Sequence, residues 1–510
     1  MQKVVTAAEM REIDRLTTEK YGIPQILLME NAAQAAAVVI AEKLGGSVED
    51  RTVLILCGKG SNGGDGAALA RILWQQGADV EVCLFGLVED AKSEAQINFD
   101  ILRRITDSEG FELDQADIAF TEIAGLEEWL EYDSLNFQSE DPDVVVDAMF
   151  GTGLERPLDG VFEQVAAYLA ALAEESPCRE TLVVALDVPS GLCSDSNEPI
   201  GTNAAAHVTV TYTAPKLANV MPPAARFNGE LRIGHIGSTC EIVNAAKSQV
   251  YVSDAGDARR WLEHTVFAAN SYKNKRGHAL LIAGSKDYSG AAILAGNAAI
   301  RSGAGLTTIA TPESSRILIG SRVEPEVMVR GLAETDSGAL AENAFEEIRG
   351  FSAKIDAVAI GCGLSTNEST ARLVRKIVEN RKTPLIIDAD GLNALAPWSV
   401  SGTDKPPIIL TPHDGEFLRL LGENGYSEIS DRIKVCGEFA QRHHVILVLK
   451  GERAVVAEPG GRVVINSTGN SGLGKAGNGD TLTGILAGFA AQAVQTKADI
   501  FETVVAAVYV

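Results

Sequence analysis

Basic residues are scarce in this 510-residue chain: 44 Lys and Arg stand against 69 Asp and Glu, a formal charge of −25. A surface so short of cations cannot neutralise a phosphate backbone, so a general nucleic-acid-binding function is excluded. Cysteine is sparse and scattered. The seven (Cys57, Cys83, Cys178, Cys193, Cys240, Cys362 and Cys436) form no Cys-x-x-Cys pair, so neither a zinc site nor a disulfide framework is suggested, and reduced thiols are expected. No run approaches the ~20 apolar residues of a membrane helix. The N-terminus, MQKVVTAAEMREIDRL, is charged and helical in pattern rather than leader-like. A cytoplasmic protein with no membrane partner is expected. Internal repeats of 20 to 50 residues and low-complexity tracts are also missing, which excludes solenoids and propellers.

What remains is ordinary core material, 46% hydrophobic and 22% charged, over a length that suggests roughly two to four domains. In the first half, Thr6 and Glu9 predict a capping box and a helix through Lys20, and LLMENAAQAAAVVIAEKL (27–44) predicts a second. TVLILC (52–57) is a continuous apolar run of strand length, followed by GKGSNGGDG (58–66) and a helix expected from Asp65. Further strands are predicted at 79–85, 143–147, 182–187 and 207–212, separated by helical stretches such as 161–174. Such alternation implies a mostly parallel sheet covered on both faces.

Three of those strand ends carry polar groups: Asn62 to Asp65, Asp147 with 151–154, and Asp187 with Ser190 and Gly191. Each alone could be a turn or helix cap. Parallel strands would bring all three to one sheet edge, where open α/β sheets bind ligands, and that convergence favours a shared pocket. The Walker A lysine and Ser/Thr are absent, and there is no dinucleotide fingerprint as such. Asn, Asp and Ser oxygens without Cys or His suit a hard, oxygen-seeking cation. Asp187, at the end of a buried strand, is a candidate acid/base or an oriented acceptor.

The pattern loosens over 238–276, where the domain boundary is placed. Beyond it, strands are predicted at 278–284, 356–360, 384–388, 407–410 and 445–449, each running into a polar or glycine-rich turn: SKDYSG, GCGLS, ADGLNAL, TPHDGEF and Lys450-Gly451. The small residues of 285–305 would admit either a ligand or another helix. Asp388 and Asp390 could bind magnesium or cap a helix, and His413 could contact substrate or serve structure. TGNSGLGKAGNGDTLTGILAGF (468–489) places Gly472, Gly474, Gly477 and Gly479 before a helix expected from Thr481, with positive φ and tight turns anticipated. Amides at a helix N-terminus attract phosphate, and Asp480 beside them could accept a proton from an attacking hydroxyl.

With LMENA, GKGSNGGDG, VDAMFGTGLERPLDG, ALDVPSG and TAPK, the first half resembles the epimerase domain of the bifunctional NAD(P)H-hydrate repair enzymes. That resemblance implies a Rossmann-like three-layer α/β domain over 1–236 that interconverts the R and S forms of hydrated cofactor. It implies that Asn62, Asp147 and Ser190 hold K+. It assigns substrate contacts to Ser61, Asn62, Gly63, Gly64, Asp65, Gly151, Thr152, Gly153, Leu154, Glu155, Arg156, Pro157 and Asp187, the last also as acid/base. Ser61 departs from the usual Asn, and altered affinity is expected.

The second half resembles the ADP- or ATP-dependent NAD(P)H-hydrate dehydratases of the ribokinase-like superfamily, on YSGAAILAGNAAIRSGAG, GCGLS, IDADGLNAL, LTPHDGEF, VLKG and the 466–489 stretch, in the family's order. The resemblance implies a domain over 266–510 joined by a linker at 237–265. Ala291, Gly363, His413 and Asp480 would meet the hydrated NADH or NADPH, with Asp480 as base. Lys450, Gly451, Glu452, Arg453, Ala454, Gly477, Asn478 and Gly479 would meet ADP (or ATP) with Mg2+. Asp414 replaces the usual Pro and Asn478 the usual Ser or Thr. Because the family continues past AAVYV, a chain truncated at its C-terminus is expected, its last apolar run otherwise an association surface; a homo-oligomer is also expected. The alternative reading is a ribokinase-like small-molecule kinase fused to a non-catalytic ligand-binding domain.

Overall fold

A computed structural model describes residues 1–91, 93–107, 117–136, 142–174, 181–402, 406–422, 429 and 431–510. It divides into two compact units, Gln2–Ser248 and, apart from Met1, Gln249–Val510. In the first unit the strands are β1 (Thr52–Cys57), β2 (Asp79–Phe85), β3 (Ile118–Ile123), β4 (Val144–Ala148), β5 (Leu182–Leu186), β6 (Val208–Tyr212) and β7 (Glu230–Gly234). They pair in parallel in the order β3-β2-β1-β4-β5-β6-β7. Strand order therefore reverses between β1 and β4, which opens a crevice at their carboxyl ends. β3 and β7 had no counterpart in the apolar runs. Their residues are half-exposed edge positions without the continuous hydrophobicity of β1.

Alternation along β1 explains the three layers. Val53, Ile55 and Cys57 join a core with the helices α2 (Gln25–Lys43) and α3 (Ser61–Gln75), which supply Ala33, Ala36, Ile40, Leu69 and Leu73, whereas α1 (Ala7–Tyr21) packs Met10 and Ile13 in a separate cluster with Ala214 and Ile242. Leu54 and Leu56 face the other way, onto Val165, Leu169 and Leu172 of α4 (Gly160–Glu174). α1 starts at the expected capping box, with the Thr6 hydroxyl and Glu9 carboxylate each accepting the other's backbone N–H.

The glycine-rich stretch after β1 is not a free loop. α3 begins at Ser61 rather than Asp65, so that Gly63 lies inside the first helical turn, where a Cβ would sit 1.7 Å from the Gly58 carbonyl oxygen.

The second unit holds β8 (Val250–Val252), β9 (His278–Ile282), β10 (Leu306–Pro312), β11 (Val327–Leu332), β12 (Ala357–Ile360), β13 (Leu385–Ile387), β14 (Ile408–Leu410), β15 (Ile446–Leu449), β16 (Val455–Ala457) and β17 (Val463–Ile465). Their order is β8-β17-β16-β15-β14-β13-β12-β9-β10-β11, parallel except at β15-β16 and β16-β17. Its helices include α5 (Ala255–His264), α6 (Ser289–Arg301), α7 (Ala389–Asn393), α8 (Asp414–Leu421), α9 (Arg432–His443), α10 (Asn478–Thr496) and α11 (Ile500–Tyr509).

Segment 237–265, taken as a linker, contains β8, which pairs with β17, and α5, whose Asp254 accepts the Gly256 N–H as cap. The short apolar–polar alternation of VYV is enough to extend a sheet once a partner strand is present.

α6 and α10 pack face to face through small residues. A Cβ on Gly484 would lie 2.2 Å from the Ala295 carbonyl oxygen. Helix packing thus accounts for much of the small-residue stretch. α11 buries Phe501, Val504, Val505, Ala506 and Ala507 in the same core, so the apolar run at the chain's end is not an exposed surface. Among the described residues no single helix is long and apolar enough to cross a membrane. The described cysteines are all free thiols; Cys178 lies outside the described residues.

Candidate active sites

The first site gathers at the β1/β4 crevice. Asp147, the penultimate residue of β4, is 1% exposed. Its Oδ2 accepts the Ser190 N–H at 2.8 Å, and its Oδ1 accepts the Ser190 hydroxyl at 2.6 Å and the Met149 N–H at 3.2 Å. Burial pushes the Asp147 carboxyl up to about 6, against the pull of those hydrogen bonds. Asn62, in the first turn of α3, is buried, and neither its Oδ1 nor its Nδ2 has a hydrogen-bond partner. A buried, unpaired carbonyl oxygen is costly unless something at the site satisfies it. With the Asp147 carboxylate and the Ser190 hydroxyl it offers oxygen donors of the kind that suit a hard cation.

Asp187 follows β5 with φ +65°, in the left-handed region. Its Oδ1 accepts from the Lys216 ammonium at 2.5 Å and from the Thr211 hydroxyl at 3.1 Å, while Oδ2 accepts the Thr152 N–H at 3.3 Å. A Cβ on Gly151 would lie 2.9 Å from that Oδ2 and 3.5 Å from Asn62 Cγ, so Gly151 is where the two strand-end groups come together. Beyond it the loop turns outward: Leu154 is buried, whereas Gly153, Glu155, Arg156 and Pro157 are exposed, as is Ser61 at the head of α3.

Asp65 is held well above the ordinary carboxylate range by burial, with Asp187 and Asp14 adding to it. Asp14, on α1, is pushed up to about 6 by burial, with Lys216 opposing and Asp187 reinforcing. Sequence reasoning passed over Asp14 and left Lys216 without a role. The available signal was an acidic residue on the buried face of α1, among Met10, Ile13 and Thr17.

The second site lies at the carboxyl ends of β12, β13 and β15. Gly477, with φ +90°, forms the N-cap of α10, so the helix starts at Asn478 rather than Thr481 and sets Asp480 in its first turn. Gly472, Gly474 and Gly479 do not adopt positive φ; Gly472 lies in a short 3-10 turn, capped by the Asn470 side chain. The Asn478 amide donates to the Leu473 carbonyl at 2.6 Å. Early amides of α10 have no intrahelical acceptor and so face outward as donors.

Burial raises the proton affinity of Asp480; a hydrogen bond from Cys362 opposes this and the Asp388 charge adds to it. Asp388 is 2% exposed and fully engaged: Oδ1 with Lys450 Nζ at 2.8 Å, Oδ2 with the Thr483 hydroxyl at 2.7 Å. Lys450 also stands 3.7 Å from Glu416. Burial would lower the Lys450 pKa, but Asp388 and Glu416 outweigh it and raise it. Gly479 completes the group; a Cβ there would be 3.6 Å from Lys450 Nζ and 3.7 Å from Asp388 Oδ2.

Asp390 accepts the Ser365 N–H at 2.8 Å and an Asn393 amide N–H at 3.4 Å. With both carboxylates committed to protein donors, Asp388 and Asp390 do not present a bare magnesium site. Gly363 and Ala291 are neighbours: a Cβ on Gly363 would lie 3.0 Å from that of Ala291. His413 caps α8, its Nδ1 accepting the Gly415 N–H at 3.1 Å and its own N–H going to Glu416 at 2.9 Å, while the ring remains half exposed.

The substitution at Asp414 is accommodated by Arg432, which binds Asp414 at 2.5 Å and the Lys450 carbonyl at 2.9 Å. After Lys450, Gly451 lies against the Arg432 guanidinium, the Arg453 guanidinium donates to the Ser467 carbonyl, and the Ala454 carbonyl accepts the Asn466 N–H at 2.8 Å. Glu452 is exposed beside them.

Residues 279–510 match the family described as NAD(P)H-hydrate dehydratase, and residues 25–218 match the family described as YjeF-related protein N-terminus. The chain is 37% identical over 96% of its length to a bifunctional NAD(P)H-hydrate repair enzyme of Moorella thermoacetica, covering 88% of that protein. It is 36% identical over 95% of its length to the namesake of Thermofilum pendens, covering 87% of it. A solved ADP/ATP-dependent NAD(P)H-hydrate dehydratase from Bacillus subtilis, co-crystallised with ATP/Mg2+, is 36% identical over 48% of this chain and 81% of that one, with a TM-score of 0.41. With both units accounted for by near full-length relatives, the chain belongs to the family of bifunctional NAD(P)H-hydrate repair enzymes.

Proposed function

We propose that the first unit interconverts the R and S forms of hydrated NADH and NADPH, and that the second dehydrates the S form to the reduced cofactor at the expense of ADP or ATP. The observation that carries this reading is the family membership of the whole chain together with two intact strand-end sites, one built on Asp187 and one on Asp480. In the first site Asp187 exchanges a proton with the hydrated ring, with the N-terminus of α3 and the Gly151 loop holding the cofactor's polar groups. Asn62, Asp147 and Ser190 would hold K+, which supplies positive charge beside a phosphate-bearing substrate.

In the second site Asp480 takes the proton of the ring hydroxyl as that oxygen attacks the terminal phosphoryl group of the nucleotide, whose bridging P–O bond breaks to release AMP from ADP, or ADP from ATP. Phosphate then leaves as the ring C–O bond breaks, the neighbouring ring carbon gives up its proton, and the double bond of the reduced nicotinamide is restored. Amides of Gly477 to Gly479 and the Lys450 ammonium meet the transferring charge. Hydrated cofactor is held by Ala291, Gly363 and His413. ADP is the preferred nucleotide in this reading, and the protein is cytoplasmic and homo-oligomeric.

Incubation with hydrated NADH, ADP and magnesium should restore the reduced-nicotinamide absorbance and release inorganic phosphate. Accumulation of a stable phosphorylated hydrate without that recovery would instead identify a small-molecule kinase.

A further inference from the structure

We infer that Lys216 is a positioning residue of the first site, holding one oxygen of Asp187 inside the protein so that the other is offered to the substrate loop. This rests on the reading of Asp187 as the epimerase acid/base. Lys216 is 1% exposed. An ammonium has three donors, and all three are taken: by Asp187 Oδ1 at 2.5 Å, the Thr211 hydroxyl at 2.9 Å and the Tyr212 carbonyl at 3.2 Å. None is left for a ligand, so Lys216 acts through Asp187. The Thr211 hydroxyl, which accepts from Lys216, donates onward to the same Oδ1 at 3.1 Å and closes a three-membered ring of hydrogen bonds.

Asp187 Oδ2 is in a different position. It takes a single long hydrogen bond, from the Thr152 N–H at 3.3 Å, and faces the space that a side chain on Gly151 would fill. A pair serving stability alone would be expected to engage both carboxylate oxygens, because a buried charge is costly when partly unsatisfied.

The main chain is held by the same segment. The Asp187 carbonyl accepts from the Asn219 side chain at 3.1 Å, and the Asn219 carbonyl oxygen of that side chain accepts the Lys216 N–H at 2.8 Å. Residues 216–219 therefore lock both the side chain and the left-handed backbone of Asp187, a conformation that a non-glycine residue adopts only when its surroundings enforce it. The other ionisable groups that face the pair are Asp14 from α1, Asp65 from α3 and Tyr212 from β6. The Asp14 Oδ1 is buried without a hydrogen-bond partner, so the single ammonium is the local cation for several carboxyl groups.

The test is epimer exchange by the full-length protein with nucleotide omitted, followed for D187N, K216M, T211V and the K216M/D187N double variant. K216M should lower kcat roughly 100-fold with KM near the parent value, as loss of an oriented acid/base would. T211V, which removes one hydrogen bond, should lower kcat by up to about tenfold. The double variant should be no slower than D187N, because Lys216 has no route to the substrate except Asp187.

If K216M folds poorly, T211V and the double variant, in which both charges are gone, decide the matter. Parent kcat in folded K216M, parent kcat in T211V when K216M cannot be measured, or a double variant slower than D187N overturns the inference. Full activity in D187N overturns the acid/base reading and the inference with it. An inactive D187N beside a fully active K216M removes only the role of Lys216.

Discussion

Both units place a lysine–aspartate pair at the carboxyl ends of parallel strands, but the pair stands differently toward the proposed acid/base. In the first unit Lys216 binds Asp187 itself. In the second, Lys450 binds Asp388, a neighbour, and leaves Asp480 outside the pair. Asp480 consequently sits in a half-buried position beside a committed carboxylate, and its proton affinity rises. A base with raised proton affinity suits removal of a hydroxyl proton, whereas an ammonium clamp on Asp187 fixes one carboxylate oxygen and leaves the other to meet the ring. One structural device thus stands in two different relations to the proposed acid/base, according to which aspartate receives the lysine.

Exchanging the key carboxylates should separate the two sites most completely. D480N should lower dehydratase turnover by about 10²–10⁴-fold while epimer exchange persists, and D187N should do the reverse. Dehydratase turnover near the parent rate in D480N would break the assignment of the second site. Next, D388N should leave the Lys450 ammonium without its main partner and destabilise the second unit by about 3 kcal/mol, since one member of a largely buried pair is lost. Thermal or denaturant melting measures it, and an unchanged midpoint would show that the pair is not a structural element there.

A smaller loss, about 1–3 kcal/mol by overpacking, is expected for G484A, which drives a methyl group against the Ala295 carbonyl between α6 and α10. The first-unit transition should not move.

The pH dependence sharpens the contrast further. A base works ionised, so raising its pKa moves the acid limb of the profile upward. With Asp480 raised by burial, dehydratase kcat/KM should begin to fall above the ordinary carboxylate value of about 4 as pH is lowered. A limb at or below that value would contradict the environment described for Asp480. Last and least, S61N should change the KM of epimer exchange only a few-fold, in keeping with one exposed hydrogen-bonding group at the head of α3. A large fall in kcat would give Ser61 a closer part in the reaction.

Much of this was legible without coordinates. Apolar runs such as TVLILC and VILVL are long, continuous and bounded by turn residues, which is how strands buried on both faces must read. The residues proposed for both sites therefore lie next to the strand ends and helix starts that those runs imply. Glycine was harder to read. Gly63 lies within a helix because the Gly58 carbonyl is pressed against it, and Gly484 serves a neighbouring helix; neither purpose has a local signature. The edge strands β3 and β7 escaped because half-exposed edges need few apolar residues, and β8 because a three-residue strand exists only by virtue of its partner.

Local pattern by itself determined the alternating α/β order, the strand-end placement of Asn62, Asp147 and Asp187, the helix-start placement of Asp480, and, through the ordered motifs, the family. Those follow from short-range chemistry: periodicity, caps and turns. Tertiary structure alone decided that Lys216 pairs with Asp187, that Lys450 pairs with Asp388 and not Asp480, and that Asp14 joins the first cluster from a helix 173 residues earlier in the chain than Asp187. Electrostatic partnership depends on distance and burial in space, and sequence separation carries neither.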